Sequence, residues 1–173
     1  SDPGSDVYDI LHFARRNIMY APIPLKVKYI ASWAFNHCEK LDKIDVPLLS
    51  ELRIIGNNAF QFCSVPSIYI PANVTHIKDD AFSCCDKLTK VEIAPKSDLK
   101  SIGSCVFVNS KIESFMIPSD LNELCESWCN KTPKLNEIII SPYNKHFFNY
   151  NGDFILAKSD QSKNDFDILL FAR

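Results

Sequence analysis

The 173 residues carry a formal net charge of −2, with 46% apolar and 23% charged side chains. That is ordinary globular composition and argues against disorder over the whole chain. Lys and Arg are scattered, so nothing in the charge pattern would attract a nucleic-acid backbone or an anionic membrane, and no nucleic acid is expected among the partners.

No run approaches the roughly 20 apolar residues that cross a bilayer, and the opening Ser1-Asp2-Pro3-Gly4-Ser5 lacks the charged and apolar regions of a signal peptide. No membrane insertion is expected within this segment. Only four glycines accompany ten prolines; hairpin turns usually draw on glycine, so proline is expected to punctuate the chain. Seven cysteines is an odd number, which leaves at least one thiol free or paired between chains.

In chain order, Ala21-Pro22-Ile23-Pro24 opens a series of units. Pro24, Pro47, Pro71, Pro95, Pro118 and Pro142 recur every 23 or 24 residues. After each of the first five comes an apolar pair three apart: Val27/Ile30, Leu52/Ile55, Val74/Ile77, Leu99/Ile102 and Leu121/Leu124. Five residues later stand Phe35, Phe60, Phe82 and Phe107, then Cys129. Ala34, Ala59, Ala81 and Val106 precede the aromatics, whereas Trp128 stands in that place in the fifth unit. Three residues after the aromatics come Cys38, Cys63 and Cys85, replaced later by Ser110 and Thr132. Each unit closes on an L-x-x-I-x-(I/V) run, from Leu41/Ile44/Val46 to Leu135/Ile138/Ile140.

A period of this length marks a solenoid, in which each unit is one coil. The last two apolar residues of L-x-x-I-x-I lie two apart and share the core face of a strand. Proline just after the strand removes a donor and fixes φ, ending the pairing at the same point in every coil. Stacked coils are then expected to form a parallel sheet on these runs. The four aromatics and then Cys129 are spaced 25, 22, 25 and 22 residues apart, so the small insertions are expected in turns. Phe35, Phe60, Phe82 and Phe107 should form an interior column.

The pattern L-x-x-I-x-I-P-x-x-V-x-x-I-x-x-x-A-F-x-x-C resembles the BspA-type leucine-rich repeat over about residues 18–142. In that family glycine often follows the isoleucine; Gly56 and Gly103 match, while Ala31, Lys78 and Cys125 depart. The fold implied is an α/β-class leucine-rich-repeat solenoid, mainly short parallel β-strands in a right-handed coil, with turns and irregular or 3-10 segments and little α-helix. The resemblance further implies a surface or secreted protein of a host-associated bacterium or protist, used in adhesion or in binding host or matrix proteins. It implies no catalytic residues and no cofactor.

Tyr8-Asp9-Ile10-Leu11-His12-Phe13-Ala14-Arg15 closely matches Phe166-Asp167-Ile168-Leu169-Leu170-Phe171-Ala172-Arg173. Three segments are therefore expected: 1–17 as an edge strand from a preceding insert, 18–142 as five to six repeats, and 143–173 as a β-hairpin-like insert leading into a further segment. Asn151-Gly152 is its type I′ turn signal. On this view the chain is cut from a longer one in which solenoids and inserts alternate.

Among chemistry-bearing residues, Cys38, Cys63 and Cys85 occupy one position in successive coils and read best as small buried hydrophobes. Rungs that close together would also permit an occasional bridge. Cys125-x-x-x-Cys129 is not a zinc-knuckle spacing and has no second ligand pair, so no metal is expected. His12, His37, His76 and His146 share no register, and there is no H-E-x-x-H, nucleophile elbow, Walker loop or G-x-G-x-x-G; the chain is not expected to be an enzyme. Asn73-Val74-Thr75 and Asn130-Lys131-Thr132 are N-glycosylation sequons, a weak pointer to an extracellular location.

The residues flanking the isoleucine of L-x-x-I-x-I should point outward and make two exposed columns. One runs Tyr20, Lys43, Ser67, Lys90, Ser114, Glu137; the other runs Pro22, Asp45, Tyr69, Glu92, Met116, Ile139. Aromatic and Met anchors with a polar surround fit an interface. The plainer alternative is that these residues satisfy strand propensity and pair Lys43 with Asp45 and Lys90 with Glu92. The expected function is a non-enzymatic module of a cell-surface or secreted protein that recognises a host, matrix or like protein through this face. An intracellular scaffold of the same fold, located in the cytoplasm, is the alternative. Open solenoid ends also make homo-association plausible.

Overall fold

The computed structural model describes residues 9–125, 127–152, 154–158, 162, 166 and 168–172, and those residues form strands and turns without a helix. The segments expected as irregular or 3-10 are turns. Tyr8, Asp167 and Arg173 of the two matching octapeptides lie outside the described residues.

The strands fall into three sets. The V-x-x-I positions give short strands β1 (Ile10–Leu11), β3 (Tyr29–Ile30), β5 (Ile54–Ile55), β7 (His76–Ile77), β9 (Ser101–Ile102) and β11 (Glu123–Leu124). The L-x-x-I-x-I runs give longer strands β2 (Tyr20–Pro22), β4 (Lys43–Asp45), β6 (Ser67–Ile70), β8 (Lys90–Ile93), β10 (Ser114–Ile117) and β12 (Glu137–Ile140). The C-terminal part adds β13 (Phe147–Tyr150), β14 (Phe154–Ala157) and β15 (Ile168–Ala172).

The continuous sheet does not lie where the sequence pattern puts it. The short strands form one six-stranded parallel sheet in the order β1-β3-β5-β7-β9-β11, while the longer strands form three separate parallel pairs, β2-β4, β6-β8 and β10-β12. Ladders form where partners are 23 residues apart, as in Ala21↔Ile44, Ile68↔Val91 and Phe115↔Ile138. They are missing at the two 24-residue steps, from Ile44 to Ile68 and from Val91 to Phe115. Gly56 and Gly103 stand 47 residues apart, as do Phe35 and Phe82, so the unit that truly repeats is a pair of coils.

The third side is built from turns. Residues two before and two after each aromatic have left-handed backbone: Trp33 and His37, Asn58 and Phe62, Asp80 and Cys84, Cys105 and Asn109. Bulky residues seldom adopt that conformation. Here it recurs in four coils, because it aims alternate backbone groups at the next coil. The N–H groups of Phe35, Phe60, Phe82 and Phe107 donate to the carbonyls of Ala59, Ala81, Val106 and Trp128 at 2.7–3.0 Å. On the short-strand side the direction reverses, with Gly56, Lys78, Gly103 and Cys125 N–H donating back to Ile30, Ile55, Ile77 and Ile102. Gly56 is required in its turn, since a Cβ there would lie 2.7 Å from Ser32 N and 2.8 Å from Ile30 O.

The core runs the length of the stack. Phe35, Phe60, Phe82 and Phe107 are buried and lie parallel, with ring centroids 4.8, 5.2 and 5.8 Å apart. In the last coil the small and large positions exchange: Trp128, aligned with Ala81 and Val106, turns its ring edge-on to Phe107 at 6.2 Å. Cys129 occupies the aromatic position and is also buried.

β13–β15 form an antiparallel sheet after the last coil. Asn151 and Gly152 both have positive φ, as that dipeptide favours. Tyr150 pairs with Phe154, however, so the loop is three residues long instead of the two expected. Asn144 Nδ2 donates to Pro118 O and Leu121 O, and Asn149 Nδ2 to Ile138 O, which ties this sheet to the solenoid.

Candidate recognition face

Side chains alternate across a strand, so the buried Ile44, Ile68, Phe115 and Ile138 turn their neighbours outward. Tyr20, Lys43, Ser67, Lys90, Ser114 and Glu137 are exposed, as are Pro22, Asp45, Glu92, Met116 and Ile139, while Tyr69 is half-buried. The ladders set them side by side in pairs: Tyr20 with Lys43, Pro22 with Asp45, Ser67 with Lys90, Tyr69 with Glu92, Ser114 with Glu137, and Met116 with Ile139.

Lys90 and Glu92 form an ion pair along β8. Lys43 and Asp45 instead both engage Tyr20 on the neighbouring rung: Tyr20 Oη donates to Asp45 Oδ2 at 2.9 Å, and Lys43 Nζ lies 5.7 Å from the ring centroid. The hydrogen bond to Asp45 raises the Tyr20 pKa above its ordinary value. This end of the face is therefore saturated by its own contacts.

The other end is open. Where the ladder fails between β8 and β10, a groove is walled by Tyr69, Glu92, Pro95, Met116 and Ile139 and reaches Val91, Ile93 and Phe115 at its base. Val91 and Ile93 hold core positions yet remain partly accessible, unlike Ile68 and Ile70 of the adjoining rung. Tyr69, Met116 and Ile139 thus stand around one apolar cleft. Pro95 and the exposed flank of Val91 and Ile93 were not foreseen from sequence. Their signal was the 24-residue step, which does not by itself say which turn takes up the extra length.

The cysteines have a structural use. Cys63 Sγ donates to Phe35 O and Cys85 Sγ to Phe60 O, each at 3.1 Å, and Cys38 Sγ to Arg15 O at 3.7 Å. Each thiol caps a carbonyl of the preceding turn. Burial pushes the Cys85 and Cys129 thiols up to about 12, raises Cys63 as well, and raises Cys38 against the opposing pull of Arg16. Such thiols are poor nucleophiles. All seven cysteines are unbridged; Cys125 is exposed and Cys84 and Cys105 are half-buried. Ser110 keeps the register, but its buried hydroxyl has no hydrogen-bond partner among the described residues.

Of the sequons, Asn130 is exposed. Asn73 is half-buried, and its Nδ2, the atom an N-glycan would modify, donates to Ser50 O at 2.7 Å. Among the described residues no three His, Cys, Asp or Glu side chains gather as metal ligands, and no helix is long and apolar enough to cross a membrane.

A stack of parallel coils with one buried aromatic column and strand faces turned outward defines a leucine-rich-repeat solenoid, a repeat scaffold. The chain belongs to the BspA-type leucine-rich repeat family, whose model matches residues 11–136 in six copies. It is similar to the pneumococcal vaccine antigen PcpA, at 26% identity and a TM-score of 0.76 over 81% of this chain and 34% of that one. It is similar in fold to a leucine-rich repeat protein of T. pallidum, at 23% identity and a TM-score of 0.68 over 75% of this chain and 62% of that one. A leucine-rich cell surface protein of Faecalibacterium prausnitzii shares the fold at 20% identity, with a TM-score of 0.61 over 82% of this chain and 43% of that one. The chain thus spans about a third of the PcpA structure. No curated protein matches the chain.

Proposed function

We propose that this chain is a non-enzymatic recognition module of a cell-surface or secreted protein, and that it binds a protein segment along the long-strand face, centred on the groove between β8 and β10. The observation that carries this reading is the interrupted ladder, which leaves an apolar cleft ringed by Tyr69, Met116 and Ile139 beside the charged Lys90–Glu92 pair. Interface hot spots have this make-up: aromatic and flexible apolar anchors within a polar surround. The surface location is supported by family membership and by relatives described as a vaccine antigen and a cell surface protein.

The test is capture of purified host matrix and serum proteins by immobilised chain, compared with a Tyr69→Ala, Met116→Asp, Ile139→Asp variant whose melting is unchanged. Loss of capture of at least tenfold is expected, and equal capture would remove this face from consideration. A second reading, an intracellular interaction scaffold, draws on the seven unbridged cysteines. Seven free thiols together with an unmodified Asn130, in protein from its native source, would favour it.

A further inference from the structure

The octapeptides at the two ends of the chain agree at six of eight positions, differing only at Tyr8/Phe166 and His12/Leu170. Within the first, β1 starts the six-stranded sheet: Lys28 and Tyr29 N–H donate to Asp9 O, and Ala31 N–H donates to Leu11 O. Leu11 packs against the core while Ile10 faces out, 37% exposed. In β15 the same dipeptide is turned over, with Ile168 packed against the core and Leu169 55% exposed. β15 is also the edge strand of its sheet. A strand shows opposite faces at successive residues, so one strand can serve two cores.

We propose that β15 is a two-faced joining strand. Through Ile168 it closes the solenoid that precedes it, and through Leu169 it is fitted to start the first coil of a second copy of this chain, pairing with that copy's Tyr29–Ile30 as β1 does. Asp167 holds the sequence position of Asp9, which lies 3.9 Å from Lys28 across that joint. The exposed Ile10 is the matching feature at the opposite end, where it would face a preceding sheet of the β13–β15 kind. Exposed strand edges are sites of such addition.

The test is a tandem chain in which Arg173 is followed directly by Arg16–Arg173 of a second copy, so that Phe166–Arg173 takes the place of Tyr8–Arg15. Hydrogen exchange is read with isotope label confined to the second copy. The second-copy Ala31 amide should be protected to within about threefold of its protection in the single chain, and Leu169→Asp in the tandem should reduce that protection at least tenfold. Leu11→Asp in the single chain sets the scale of that loss, and Leu169→Asp in the single chain should leave its melting unchanged. An unprotected second-copy Ala31, a second copy that stays unfolded while the first folds, or protection indifferent to Leu169→Asp would each overturn the proposal.

Discussion

The two strand sides of this solenoid are built from the same coils and behave differently. The short-strand side is unbroken from β1 to β11, even though its first step is 19 residues (Leu11 to Ile30) and the later ones alternate between 25 and 22 (Ile30 to Ile55, Ile55 to Ile77). The long-strand side is broken twice although its steps differ by one residue. Length variation is therefore harmless where an apolar column and reciprocal backbone bonds hold each rung, and it opens the sheet where they do not. A solenoid needs only one continuous side to stay stacked, because each coil is stabilised by its neighbours; the other side is free to part and expose a cleft.

The heaviest blow to that comparison is delivered in the column. Phe82→Ala removes a fully buried ring stacked on both faces and should cost about 3–5 kcal/mol in denaturant unfolding. Tyr69→Ala, on the open face, should stay within about 1 kcal/mol. Equal losses would erase the distinction between the two sides.

Alkaline pH acts on the same interior. Cys63, Cys85 and Cys129 have folded pKa values raised above the ordinary thiol value, with Cys85 and Cys129 at about 12. The folded state therefore holds protons that the unfolded state releases. Their contribution is complete below about pH 9 and is lost as pH climbs toward 12, with a slope approaching roughly 1.4 kcal/mol per pH unit for each thiol. Urea midpoints measured from pH 8 to 11 should fall along this limb, and replacing Cys63 and Cys85 by Ala should flatten it. An unchanged limb in that double variant would exclude the thiols as its cause.

A smaller effect should have the opposite sign. Ser110 sits where a cysteine caps the preceding Phe carbonyl in earlier coils, yet its hydroxyl is buried without a partner among the described residues. The longer C–S bond of Ser110→Cys should reach Phe82 O, raising stability by about 1 kcal/mol. A loss of stability would show that the register of that column ends at Cys85.

The stacking was legible in the sequence because it is carried by side chains that must recur at one place in every coil. The aromatics, the small residue before each and the thiol three residues later all signal one buried position. Trp128 and Cys129 marked the fifth unit only as a degraded repeat; that they exchange large for small within one core shows in the packing. Outward residues such as Met116 and Ile139 followed from the two-residue period of a strand. The broken ladders were not legible, because backbone pairing depends on where a turn stores its extra residue, and a residue count alone does not locate it. The Tyr20–Asp45 bond was missed for a related reason: pairing along the strand was considered for Lys43 and Asp45, whereas the partner comes from the next rung.

The column is probed most directly by residue-resolved thiol alkylation of the folded protein at neutral pH. Cys125 should react readily and Cys84 and Cys105 more slowly, with Cys38, Cys63, Cys85 and Cys129 protected until the chain unfolds. Alkylation of Cys38, Cys63 or Cys85 at the rate of Cys125 while the protein remains folded would contradict the stacked interior.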